Sequence, residues 1–211
     1  MRLFQRTLNL AEIPVKYSKG YNPLPRMSIA TPLSLGIEGE EEYMEIDLVE
    51  EIDVSVFIDS MNKILPKDVQ ILDAIYSYGK ESLAFMINHA LYEISFENIG
   101  GLTYEDMEKV LDKWLNKDEI LIKRLRKRGR RKIEVEENII PLIKGVKLVE
   151  ARDMISFEAI LRVGEFGNLR VFDFMDAFLR DNDLEELDKD AVLYKRKALF
   201  IDGKNGLEKP F

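Results

Sequence analysis

Eight of the ten residues Lys123–Lys132, KRLRKRGRRK, are Lys or Arg, and this run restricts the fold more than any other stretch of the chain. Charged side chains leave water only at high cost unless they are paired. No core holds such a segment, so it has to project. Its two halves, EILIKRLRKR and RRKIEVE, meet at Gly129 and read as the arms of a basic β-hairpin. The remaining chain is acidic: 31 cations stand against 39 anions, and without these eight the balance is 23 against 39. A cationic finger on an anionic body attracts a phosphate backbone or an acidic protein surface. Its plainer reading is a solvated hairpin tip whose charges discourage edge pairing.

The other segments alternate between the helical and the strand period. Met1, Phe4, Leu8 and Ala11 form one helical stripe, which Pro14 closes. Met27–Ile37 reads as a strand broken by Pro32, and Glu42–Glu50 as a half-buried strand with alternating faces. Asp53 is the expected N-cap of a helix through Val56, Phe57, Met61 and Ile64. Pro66 ends that helix, and Val69–Tyr78 alternates as a further strand. After a connector at 79–89 the order recurs. Leu91–Glu97 is a strand, and Thr103 with Asp106 opens a helix carrying Met107, Val110, Leu111, Trp114 and Leu115. The basic hairpin, a helical turn in NIIPLIKG and the strands VKLVEA and MISFEAILRV follow. A helix over Arg170–Arg180 and a strand over Val192–Ile201 complete the chain.

This order predicts an α+β protein of two tandem ferredoxin-like β-α-β-β-α-β antiparallel sandwiches, the first lacking its opening strand. Residues 1–80 form one half. Residues 90–211, with the hairpin, form the other. The first strand of such a unit is central, so its loss predicts a gap or a weakly ordered sheet in the first half, with unpaired edges open to another chain.

Composition narrows the chemistry. With no cysteine there is no disulfide, thiolate metal site, iron–sulfur cluster or cysteine nucleophile. His89 is the only imidazole and has no companion for metal or acid–base work. Glu38, Glu40, Glu41, Glu42 and Glu45 offer oxygen ligands without a regular spacing. They read as a solvated face, or as a patch pairing with a partner's basic surface or with the hairpin. Gly100-Gly101 lacks the Lys-Ser/Thr ending of a phosphate loop and reads as a turn. No metal, cofactor or catalytic constellation is expected. No membrane-spanning run and no secretory leader is evident, so the expected setting is cytoplasmic.

The loop Tyr17–Arg26, YSKGYNPLPR, is the second site candidate. Its Gly and two Pro fix turns that leave Tyr17, Ser18, Lys19, Gly20, Tyr21, Asn22 and Arg26 to line a surface. Two aromatics beside two cations suit stacking on an unpaired base together with phosphate contact. The alternative is a crossover loop with its aromatics packed inward.

YSKGYNPLPRMSIA followed by PLSLGIEGEEEYMEIDL resembles the radical-SAM-linked protein family, a bacterial domain encoded beside, or fused to, B12-binding radical SAM proteins. Tyr17, Ser18, Gly20, Pro23, Pro25, Pro32, Leu33, Gly36, Glu42 and Tyr43 follow that family's pattern in order, and Arg196 stands where relatives carry an Arg in their last strand. Leu24 replaces a His and Arg26 a Lys. Asn138, Ile139, Ile140 and Pro141 replace an Asp-Ile-Arg-Pro element. Relatives open with a strand and a Ser-His-Leu-Asp turn, and Met1 falls within the first helix, so either the start lies at an internal Met or this copy lacks a strand.

The resemblance implies a radical SAM protein as partner. The expected function is a non-catalytic module that holds an anionic substrate such as RNA. The contacts are the loop residues above, Lys123, Arg124, Arg126, Lys127, Arg128, Arg130, Arg131 and Lys132 of the hairpin, and Arg196. The alternatives are an RNA-modifying or RNA-processing enzyme with its site at residues 17–26, and a protein-interaction module.

Overall fold

The computed structural model describes residues 1–79, 81–99, 101–129, 131–184 and 187–211; at Arg128 it describes the backbone alone. It is a mixed α/β fold of two compact units. Residues Met1–Ala30 and Tyr43–Leu83 form the first, and Thr31–Glu42 with Ala84–Phe211 the second.

The first unit opens with α1 (Arg2–Leu10). Leu8 is fully buried and joins Ile13, Val15, Met61 and Leu65 in a core against which Phe4, Ala11, Ile46 and Leu48 pack. Strand β1 (Met27–Ile29) leads to residue 30, where the chain leaves the unit. A twelve-residue strap, Thr31–Glu42, belongs to the second unit and contains β2 (Ile37–Gly39). On its return the chain forms β3 (Met44–Ile46), which pairs antiparallel with β1 over three residues. Helix α2 (Val54–Asn62) starts as expected: the Asp53 carboxylate accepts from the N–H groups of Ser55 and Val56 at 2.8 and 3.3 Å.

The expected strand over Val69–Tyr78 does not form. Val69 and Ile71 face the core, but no ladder partner reaches them. Asn62 takes the place of a neighbouring strand, accepting from Ile71 N–H at 2.7 Å and donating to Ile71 C=O at 2.9 Å. Tyr76 does the same at Ile52, its hydroxyl bonded to both backbone groups at 2.7 Å.

The short helix α3 (Leu83–Met86) begins on the last residue of the first unit, and the second unit continues through β4 (Ile87–Glu97), α4 (Tyr104–Leu115), β5 (Leu121–Arg128), β6 (Arg131–Asn138), β7 (Ile143–Ala151), β8 (Met154–Arg162), α5 (Val171–Asp181), β9 (Leu193–Gly203) and β10 (Gly206–Glu208). Six strands form one sheet in the order β10-β9-β4-β8-β7, with β2 added to β9. All its pairings are antiparallel except β2 on β9. Thr103 and Asp106 close a reciprocal capping box on α4. Alternate residues Ile155, Phe157, Ala159 and Leu161 of β8 face the core. There Phe157 meets Phe174 and Phe178 of α5, and Trp114 of α4 stands edge-on to the same two rings at 5.4 and 5.2 Å. The two helices therefore share one face of the sheet. Gly100, where a turn was expected, lies outside the described residues.

Candidate functional site

Among the described residues β5 and β6 pair only with each other, and they form the hairpin. Gly129 takes a φ of 62°, the left-handed region that its tight turn demands. The cations divide into two sets. Those near the base have carboxylates of their own chain. Lys123 pairs with Glu134 at 3.3 Å, and Arg126 with Glu137 at 3.0 Å. Arg124 reaches both Glu137 and Asp173 of α5, at 3.0 and 3.1 Å, and is mostly buried. Asp173 also binds Arg170. Arg124 is therefore a tie between ribbon and helix. Towards the tip, Lys127, Arg131 and Lys132 are exposed and have no carboxylate partner among the described residues. Lys127 stands opposite Lys132, and Arg128 opposite Arg131. Like charges in cross-strand register repel, so this tip keeps an unfavourable field that an anion relieves. Arg130 lies outside the described residues.

The Tyr17–Arg26 loop belongs to the first unit. A bridge between Tyr17 and Pro25 closes it, reinforced by Ser18 N–H donating to Leu24 C=O at 2.8 Å and Leu24 N–H donating to Ser18 Oγ at 3.0 Å. The aromatics do not pack inward. Tyr21 is fully exposed, and half-exposed Tyr17 is held by donation from its hydroxyl to Asn9 Oδ1 at 2.6 Å. Arg26 pairs with Asp47 at 3.0 Å, which occupies one of the two cations expected to face a phosphate. The side chains of Lys19, Tyr21 and Asn22 bond to no described residue, leaving a cation, a ring and an amide together at the tip of the loop.

Arg196 is buried within the second unit. It is 3% exposed and donates from Nε to Glu42 at 2.8 Å, from Nη2 to the other Glu42 oxygen, and from Nη2 to Thr31 C=O at 2.6 Å. Burial opposes its charge, but the hydrogen bonds and charge of Glu42 outweigh that and hold its pKa above the ordinary value. Tyr92, opposite Arg196 in the ladder, completes the cluster. The guanidinium is committed to the strap.

Four of the five acids in the run are engaged in the same way, while Glu45 of β3 accepts from Ser28 Oγ at 3.3 Å. Glu38 and Glu40 lie 3.7 and 3.6 Å from Lys195, and Glu41 lies 2.7 Å from Lys209. With Glu42 on Arg196, these four carboxylates fasten the strap to β9 and the chain end. Among the described residues no cluster of His, Asp or Glu is arranged to hold a metal ion. His89 is buried, its Nδ1 2.7 Å from Asn88 Oδ1 and 3.6 Å from Asp202. Burial pushes its pKa down, and Asp202 opposes the shift.

Sequence reasoning treated all the hairpin cations alike and missed Glu137 and Asp173, which neutralise its base. The acids alternating with Ile133 and Val135 in β6 are a local signal for some of that pairing; Asp173 leaves none. The chain is thus a mixed α/β protein with a two-stranded ribbon whose tip carries cations that have no carboxylate partner among the described residues. The sequence pattern of DUF2344, described as an uncharacterized protein conserved in bacteria, matches residues 1–171, and the chain belongs to that family. Arg196 falls beyond the matched segment. No curated protein matches the chain. Among the described residues no helix is long and apolar enough to cross a membrane.

Proposed function

We propose that this chain is a non-catalytic module that holds nucleic acid, RNA in the first place, for a radical SAM enzyme. One observation carries the reading: Lys127, Arg131 and Lys132 are exposed and, among the described residues, have no carboxylate partner, whereas Lys123, Arg124 and Arg126 nearer the base are paired within the chain. Own carboxylates at the base and none at the tip concentrate the positive field where a ligand meets it. The Lys19–Asn22 tip adds a second contact of a different kind, an exposed ring for stacking on an unpaired base. The enzyme partner rests on the likeness of the Tyr17–Tyr43 motif to the radical-SAM-linked family, in which a companion enzyme's cofactors would do the chemistry.

The fold reading goes one step further in the second unit. The connection β4-α4-β7-β8-α5-β9 with spatial order β9-β4-β8-β7 supports a ferredoxin-like arrangement there, with the hairpin inserted after α4 and the strap added at β9. In the first unit the three-residue β1–β3 pairing supports only an incomplete version.

The test is binding of a fluorescent RNA to the full chain at about 50 and about 200 mM salt, with Lys127→Gln/Arg131→Gln/Lys132→Gln as comparison. Binding that weakens steeply with salt, and a salt slope shallower by about 2–3 in the variant, are expected. An RNA affinity insensitive to salt, or equal in the two proteins, removes the reading.

A further inference from the structure

The register of the hairpin says more than its charge count. Cross-strand partners in an antiparallel ladder share a face, and successive pairs alternate between the two faces. Lys127 pairs with Lys132, so both lie on one face, together with Leu125 and Glu134. Arg126, opposite Ile133, and Arg131, opposite Arg128, lie on the other. The tip is therefore cationic on both sides of the ribbon.

A single strand lying along one face of such a ribbon leaves the cations of the other face in water. Two phosphate walls engage both. A B-form double helix presents such walls on either side of its major groove, which at about 12 Å admits a two-stranded ribbon, whereas the major groove of an A-form RNA duplex is deep and narrow. The residues Leu121–Asn138 include no aromatic side chain, so the hairpin has no ring on which to stack an unpaired base and relies on backbone contacts. Phosphate contacts of this kind position a duplex without reading its sequence. The Lys127–Lys132 repulsion works in the same direction, because phosphates on that face relieve it.

We infer that the hairpin is a groove-inserting ribbon that grips double-helical nucleic acid by phosphates of both strands, Lys127 and Lys132 serving one backbone and Arg131 the other. This deepens the reading of a nucleic-acid-holding module and rests on it. The chemistry is the paired backbone flanking a groove wide enough for the ribbon, which B-form duplex supplies.

Fluorescence anisotropy of the full chain at about 50 mM salt tests it with four probes of one sequence, about 20 nucleotides long: RNA duplex, DNA duplex and the corresponding single strands. The DNA duplex is expected to bind about tenfold tighter than its single strands and than the RNA duplex. A preference for the RNA duplex, whose major groove is too narrow for the ribbon, overturns groove insertion. Two variants then separate the faces, Lys127→Gln/Lys132→Gln and Arg131→Gln. Each is expected to weaken duplex binding, with the salt slope on B-form duplex falling by about 1.8 and about 0.9. All three side chains are exposed, and the fluorescence of the single tryptophan, Trp114, checks that the fold is intact. Equal affinity for single strands, or one face silent while the other matters, overturns groove insertion and leaves nucleic-acid holding in place. Binding to none of the four probes overturns both.

Discussion

Arg196 in β9 and Glu42 at the end of the strap, 154 residues apart, form a buried ion pair that ties Thr31–Glu42 to the sheet of the second unit. The two partners are unequally buried: the Arg196 side chain is 4% exposed and that of Glu42 30%. Removing Glu42 strands a guanidinium that cannot reach water, whereas removing Arg196 leaves a carboxylate that can. Glu42→Ala is therefore expected to destabilise the protein by about 3 kcal/mol, and Arg196→Met by less. Urea denaturation of the two variants checks the order, and equal losses would show that the pair's burial is not what matters. Gly39 lies against the same carboxylate, where an added Cβ would sit 2.9 Å from Glu42 Oε1. Gly39→Ala is expected to disturb the pair without removing either charge.

His89 makes stability depend on pH. Burial lowers its pKa in the folded protein, with Asp202 opposing and Arg162 and Lys144 adding to the shift. The unfolded chain takes up the proton near pH 6.5, and the folded chain only at lower pH. The contribution is fully present above about 6.5 and is lost as pH falls through the folded value. Melting temperature is expected to drop from this group as pH falls below about 6.5, and His89→Gln to flatten that limb. An unchanged acid limb in the variant would assign the loss to carboxylates instead.

What was legible in the sequence is what is decided within a few residues. Asp53 before α2, Thr103 with Asp106 before α4, and Gly129 between two arms each specify a local conformation, and each is found there. The second unit's periodicities also mark its strands and helices, because alternation and helical stripes record which face is buried. Val69–Tyr78 shows the limit. Its alternation records an inward face but not whether a neighbouring strand exists, and Asn62 supplies the hydrogen bonds instead. The strap is similar: Ile37–Gly39 pairs with Tyr194–Arg196, and nothing local announces a parallel partner so distant in the chain. At the hairpin, ten residues show the cations, while the neutralisation of Arg124 comes from Asp173, 49 residues on.

The Asn62 clasp carries its own expectation. Its amide serves both backbone groups of Ile71 at 2.7 and 2.9 Å, and a partly buried backbone pair left without partners costs more than the bonds themselves contribute. Asn62→Ala is expected to lower stability by about 1–3 kcal/mol, and Asn62→Asp, which keeps the acceptor and loses the donor, by less. Hydrogen exchange at the Ile71 amide gives the local readout. Protection there should fall in Asn62→Ala and persist in Asn62→Asp.

The capping box on α4 tests how far that helix depends on its start. Thr103 Oγ1 accepts from Asp106 N–H at 3.2 Å, and the Asp106 carboxylate accepts from Thr103 in return. Those bonds hold the Asp106 pKa below the usual carboxylate range. A depressed carboxylate pKa stabilises the fold above the unfolded value, near 3.9, and the effect is lost as pH falls below it. Thr103→Ala is expected to cost about 1 kcal/mol at neutral pH and to raise the Asp106 pKa towards its ordinary value. The helix it opens carries Trp114, buried against Phe174 and Phe178 and donating from Nε1 to Asp181 at 3.1 Å. Tryptophan fluorescence during urea denaturation therefore reports the loss directly, as a lower midpoint with an unchanged slope. A midpoint equal to that of the parent would mean that the aromatic packing, and not the cap, sets the stability of α4.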